Sequence, residues 1–594
     1  MGDGREATQD LGGGGAIGGS STALRARGAS HAARAGVRRT AQTAAARGVR
    51  RFGRWAALLC VVALAVVPSA CGSGGTREKN GRVEVRFWHA MSGANGVALQ
   101  KMVDGFNSSQ STYHVTAIYQ GGYPDLLKKL VSSFGTSSMP AMIQLDDIET
   151  QFMVDSDATV PPQTFIDREK AGTPAASVSA TAGANTSPAA SPDERPSPSA
   201  TATGTATATA TAQTAAAPSG ASGPGGASAP SGASAPGAAG APSGASAPGG
   251  VSAPGAVKEP PAHLGAPIDL SDFEPRALAY YTLDGQLRAM PFNLSGLVLY
   301  YDKAAFMDAG LDATKPPATL EELRADSEKL LKRNANGQIT RNGLAMSIDP
   351  WKFEQFLARD AALFANNGNG RDGRATAVAF DGQAGTDILS WWQSMVKDGL
   401  ATNVGTSGLQ SFLAVINGKS AMAIESTASM GTLLGALGPA SSRFGVGPIP
   451  SPATNPDGGV VLGGAAAWIM KDRPDAEQQG AWEFLKYATQ ALVQAQWSAD
   501  TGYFPVRVSA WDMEPAKSVH EKFPQFSVAH DEVLQSPQNQ ATAGAVLGPF
   551  VQVRDAVTNA IEEVLVGGKT PQEALADAKD TADRAITRYN RSVQ

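Results

Sequence analysis

Cysteine is nearly absent. Cys60 and Cys71 are the two in 594 residues, too few for a disulfide framework or a cysteine metal site. Histidine is sparse as well. The six stand at 31, 89, 114, 263, 520 and 530, and none are spaced as metal ligands. The chain has no glycine-rich nucleotide loop, no His-Glu-x-x-His pair and no Gly-x-Ser-x-Gly elbow. Asp146 and Asp147 are adjacent at a predicted strand end, where side chains point to opposite faces, so they are not expected to form a catalytic dyad. Phosphodiester hydrolysis usually needs metal-bridging carboxylates and histidines. The sparse histidines therefore argue against a metal-dependent hydrolase, and no residues read as catalytic or cofactor-binding.

Long apolar runs are lacking too. Trp55–Val67 is 13 residues, short of the ~20 that span a bilayer. Preceded by Arg50, Arg51 and Arg54, it fits the apolar region of a secretory signal. Pro68-Ser69-Ala70-Cys71 and the flexible Gly72-Ser73-Gly74-Gly75 follow, an arrangement that resembles a bacterial lipoprotein cleavage site. Residues 1–70 then read as leader and signal peptide, 71–81 as a tether, and Cys71 as the lipidated residue. Two acyl chains suffice for stable anchoring. The alternative is an uncleaved apolar anchor. Residues 1–70 carry 10 Arg and 3 acidic side chains; the whole chain is −5, so the remainder is −12. That surface argues against nucleic acid as a partner. It also means that an anionic ligand must be held by local donors.

From residue 172 to 261 the composition falls to Ala, Ser, Thr, Pro and Gly. Such a segment has no side chains to bury and is expected to be disordered or partly polyproline II. It is read as an insertion in a surface loop, which costs little because closure entropy rises slowly with length; a linker between independent domains is the alternative. Before it, predicted strands at Arg82–Phe87, Tyr113–Tyr119 and Met139–Leu145 alternate with apolar-faced helices, the pattern of a doubly wound α/β lobe. After it, further strands are predicted at Gly445–Ile449, Val460–Leu462 and Ala466–Met470. Thr570-Pro571-Gln572-Glu573 is a capping box that opens a terminal helix.

The stretch Pro291-Phe292-Asn293-Leu294-Ser295-Gly296-Leu297-Val298-Leu299-Tyr300-Tyr301-Asp302-Lys303 organises the remainder. It reads as a proline turn, a buried strand from Leu297 to Tyr301, and a helix capped by Asp302. Together with Phe87-Trp88-His89-Ala90-Met91, Tyr119-Gln120-Gly121-Gly122-Tyr123, Asn417-Gly418, Gly463-Gly464-Ala465, Thr501-Gly502-Tyr503-Phe504-Pro505 and Gly567-Gly568-Lys569-Thr570-Pro571, it resembles the extracellular solute-binding proteins of ATP-driven (ABC) importers. Within them it resembles the branch for glycerol-3-phosphate and glycerophosphodiesters. The resemblance runs from residue 87 to the C-terminus outside the insertion.

It implies an α/β type II periplasmic-binding fold of two discontinuous lobes, a hinge and a ligand cleft. The implied division is 82–171, 262–292 and 451–500 for the first lobe, and 293–450 and 501–594 for the second. It also implies a monomer on the extracytoplasmic face of the membrane that delivers ligand to permease subunits. Carried over residue by residue, Arg554 would grip phosphate, a match for its planar fork, and Asp147 would accept from glycerol hydroxyls. Tyr123 and Tyr503 would add phenolic bonds, Ser295 and Ser426 hydroxyls, Gly464 a backbone N–H, and Trp351 an apolar face. Ser429 is an alternative to Ser426. Leu294 departs from relatives with a small hydroxyl residue there. Glu425 adds an acid where relatives are often neutral, which favours the same-class alternative, a receptor for a neutral oligosaccharide.

Overall fold

The computed structural model describes residues 77–172 and 264–594, except 453, 454 and 456. The leader, Cys71 and the insertion lie outside the described residues, apart from Gly172 at the insertion's edge.

Two sheets carry the fold. The first has seven strands. Arg82–His89 runs parallel to Tyr113–Tyr119 and to Met142–Asp146. Met142–Asp146 then pairs antiparallel with Gly463–Met470, which also pairs with Met290–Ser295 and Thr159–Val160. The alternating strands and helices before the insertion therefore do not close a sheet alone; a strand from far along the chain lies at its centre. That strand, Gly-Gly-Ala-Ala-Ala-Trp-Ile-Met, is buried along nearly its whole length, as expected of a strand covered on both faces.

The second sheet has six strands, in the order Lys332–Arg333, Ile339–Met346, Ser420–Ser426, Leu297–Asp302 and Phe444–Gly447, with Ala401–Asn403 on Ile339–Met346. Every residue of Leu297–Asp302 is buried. Asp302 accepts from the amides of Ala304 and Ala305 and so caps the helix Lys303–Asp308. The capping box at Thr570 and Glu573 forms as predicted and opens Pro571–Ser592.

Two local expectations fail. Pro291 does not make a turn; it lies within the strand Met290–Ser295, and its partner strand shifts register between Ala465 and Ala466. Proline has no amide to donate to a ladder, so a bulge at its position is the physical remedy. Val460–Leu462 is buried but makes no strand; the Val460 and Val461 amides are answered by the side chains of Ser536 and Gln355 instead.

Met290–Ser295 belongs to the first sheet and Leu297–Asp302 to the second, so the chain crosses between them at Gly296. A Cβ there would stand 2.9 Å from the Ala529 side chain. The chain returns to the first sheet at Gly463. Among the described residues no helix is long and apolar enough to cross a membrane.

Candidate ligand-binding site

Where the sheets meet, the ends of several strands surround a cavity of about 230 Å³. Its wall includes Tyr123, Asp147, Ser295, Trp351, Ser426, Gly464, Tyr503 and Arg554, together with Asp146, Asn293, Asp349, Ala428 and Gly463. The structure thus gathers all eight sequence-derived candidates, and Ser426 rather than Ser429 lines the space.

Ser295 and Ser426 are the last residues of strands in the first and second sheets. The Ser426 hydroxyl accepts from the Ala428 amide at 3.2 Å. Trp351 is the second residue of the helix Pro350–Arg359, whose cap, Asp349, accepts from the Trp351 amide at 2.9 Å. A Cβ on Gly463 would fall 2.4 Å from the Trp351 ring, so the indole reaches its place only over a residue without a side chain. Tyr503 follows the left-handed Gly502 and stacks on Trp497 at 5.7 Å. The Tyr123 hydroxyl is buried beside Asn293 and makes no hydrogen bond of normal geometry. Asn293 itself accepts from Gln144 at 2.6 Å.

Asp146 and Asp147 do not diverge as strand alternation predicts. The strand ends at Asp146, whose carboxylate accepts from the Asp147 amide and starts a short 3₁₀ helix, Asp147–Glu149. The change of backbone breaks the two-residue period, and both carboxyls reach the same cavity. Burial pushes Asp146 up to about 6, with the Glu149 charge adding and Arg554 opposing. Burial also raises Asp147 well above the carboxylate range, helped by Asp146. Glu149 behind them rises to about 8, through burial first and then Asp147.

Arg554 projects from the helix Phe550–Glu562. Its Nε and Nη2 donate to the two carboxylate oxygens of Glu354 at 2.7 and 2.8 Å. Burial opposes its charge, but Glu354, Asp147 and Asp146 outweigh that and hold it protonated. Burial raises Glu354 while Arg554 pulls it back; the two-pronged contact is that of an ion pair, and both groups are charged.

Glu425 is no part of this wall. It accepts from Lys352 at 3.0 Å and from Ser347 at 3.1 Å. Lys352 is fully buried, so the extra acid is neutralised away from the cavity and has no bearing on ligand charge.

Sequence reasoning missed Asp146, Asn293, Asp349 and Gly463, and also Glu354. Asn293 and Gly463 lay inside stretches already singled out. Asp349 carries the signal of a helix cap before Pro350. Among the described residues no group of His, Cys, Asp and Glu is arranged to hold a metal.

The model of the bacterial extracellular solute-binding protein family matches residues 233–524. The chain is 27% identical over 515 residues to the sn-glycerol-3-phosphate-binding periplasmic protein UgpB of Yersinia pseudotuberculosis, covering 86% of this chain and 93% of that protein. It is 26% identical to the protein of the same name in Escherichia coli O1:K1, covering 94% of it. Among solved structures, UgpB from Mycobacterium tuberculosis in complex with glycerophosphocholine superposes with a TM-score of 0.58 at 16% identity, over 86% of this chain and 99% of that one. The GacH receptor of Streptomyces glaucescens, solved with acarbose, gives 0.58 at 16% identity, over 85% and 99%. These neighbours share the two-lobed type II periplasmic-binding architecture. The chain is thus similar, over most of its length, to bacterial extracellular solute-binding proteins, which are receptors and not enzymes.

Proposed function

We propose that this receptor binds a glycerophosphodiester, or glycerol-3-phosphate, and carries it to a permease from a lipid anchor on Cys71. The observation that carries the reading is Arg554, the one cationic side chain in the cavity wall. Glu354 takes its Nε and Nη2 edge, which leaves Nη1 to a phosphate oxygen. The orphaned Tyr123 hydroxyl supplies a further donor, since buried polar groups are normally partnered. Asp146, Asp147 and Asp349 suit glycerol hydroxyls as acceptors. The Asp146 carboxyl, ionised above about pH 6, also favours a monoanionic diester over a dianionic monoester, because like charges repel strongly where water is excluded.

A neutral sugar is the second reading, and the acidic wall favours it. Against it, about 230 Å³ lies below the ~300–1,000 Å³ of sites for drug-sized ligands, which suits a small polyol phosphate better than an oligosaccharide. Calorimetric titration with glycerophosphocholine, glycerol-3-phosphate and maltose tests this. The diester is expected to bind tightest, and a preference for maltose rejects the phosphate reading. Cys71→Ser is expected to move the protein from the membrane to the soluble fraction; retention on the membrane would favour an uncleaved anchor.

A further inference from the structure

A second cavity, of about 440 Å³, shares no lining residue with the first. Tyr280 lies in its wall and is connected to the first site, because its hydroxyl donates to the Asp147 carbonyl at 3.3 Å and to that of Ala545 at 3.0 Å. On one side stands the helix Pro275–Tyr281, which packs on the first-sheet strand Met290–Ser295. On the other stand Arg371 and Asp372, just before the helix Gln383–Lys397, which packs on the second-sheet strand Ala401–Asn403. The cavity therefore lies between the two sheets' lobes.

Its charged lining is unusual. Arg371 donates to the carbonyls of Gly544 and Ala543, both at 2.8 Å, and lies 4.6 Å over the Tyr280 ring. Arg276 donates to the Ser536 carbonyl. Both guanidiniums are thus bonded to neutral oxygens, and burial works against the charge of each. Glu274, whose carboxylate accepts from the Arg276 amide at 3.4 Å, supports the charge of Arg276, Tyr280 and Asp147 support that of Arg371, and the exposed Asp372 accepts from Gln540. Tyr280 and Leu462 add apolar surface.

The backbone that delivers Arg371 is itself strained. Asn367, Gly368, Asn369 and Gly370 have φ of 52, 59, 62 and 79°, four consecutive left-handed residues. Runs of that kind are costly for side-chain-bearing residues. The Asn369 side chain locks the turn by accepting from the Phe364 and Ala365 amides and donating to the Gln540 carbonyl. Strain held in place by surrounding bonds clusters at ligand clamps, and this turn places a cation at a cavity wall.

The geometry points to a second ligand site here, for a small organic anion with a flat apolar body, its charge on Arg276 and Arg371 and its body against Tyr280 and Leu462. A volume of about 440 Å³ falls within the usual range for small-molecule sites. An occupant would touch both lobes.

Phenyl phosphate, which has both features, serves as the probe. It is titrated calorimetrically into the parent protein, Arg276→Gln and Gln538→Glu. Gln538 is exposed at the rim of the cavity, so a carboxylate there adds repulsion without disturbing the fold. Both variants are expected to weaken phenyl phosphate binding by about tenfold or more, the scale of a lost charge-assisted contact, and to leave glycerophosphocholine affinity unchanged. The inference is overturned if the parent gives no binding at millimolar phenyl phosphate, or if both variants bind it as the parent does.

Discussion

Glu354 and Arg554 meet from two helices, 200 positions apart in sequence, and their contact sets how the cavity treats charge. The guanidinium is paired before any ligand arrives, yet it remains the only cation in a wall with three carboxyls. Arg554→Ala is expected to weaken glycerophosphodiester binding by ~30- to several-thousand-fold, the range for truncating one partner of a desolvated charged contact. Titration of the variant reads this directly, and parent-like affinity would transfer the role to neutral donors.

The neighbouring acids carry a pH signature. Glu149 rises to about 8 from an ordinary value of 4.5. Between those values the folded chain holds a proton that the unfolded chain has released, so stability falls as pH rises, by about 1.4 kcal/mol per pH unit at most. Asp146, at about 6, steepens the acid end of that window. Glu149→Gln is expected to flatten the dependence of Tm on pH between pH 5 and 8; an unchanged slope would place the titration elsewhere. At this scale the sequence was most legible where a family resemblance named residues. Glu354 left no local trace, because its meaning depends on a partner on a distant helix. Asp146 was misplaced because its direction follows from a turn that strand periodicity does not include.

The crossing at Gly296 joins the two sheets. Its carbonyl accepts from the Thr427 amide at 2.9 Å, and the Ala529 and Phe504 side chains close over its Cα. Gly296→Val is expected to cost ~1–3 kcal/mol through overpacking, seen as a lower Tm; an unchanged Tm would mean that the crossing has room to spare. Elements were legible where the signal is local. Asp302 and Thr570 cap their helices as their sequences predict, and the all-apolar run Leu297–Tyr301 is a buried strand. Val460–Leu462 looks the same in composition, but its amides are taken by the side chains of Ser536 and Gln355, distant in sequence. Pro291 reads as a turn from its own chemistry, and only the partner strand reveals the bulge that admits it.

Across the whole molecule, the chain that leaves at Gly172 comes back beside its point of departure. The Ile268 amide donates to Glu169 at 3.1 Å, and Lys486 bonds both Glu169 and the Ala266 carbonyl. Replacing residues 173–263 by a short Gly/Ser linker is therefore expected to leave ligand affinity within about twofold and the fold intact, because closing a loop between neighbouring ends costs little. A folded deletion variant with collapsed affinity would assign the segment a part in binding. Its composition was readable at once. The sheet partners on either side were not, since they depend on pairings hundreds of residues apart.

One such pairing has a temporal side. Gly463–Met470 sits between Met142–Asp146 and Met290–Ser295 in the first sheet, so the N-terminal strands have no central neighbour until more than three-quarters of the chain has left the ribosome. Contacts this far apart in sequence form slowly. The first sheet can therefore be completed only once Gly463–Met470 is available, which makes closing it a late step in assembly.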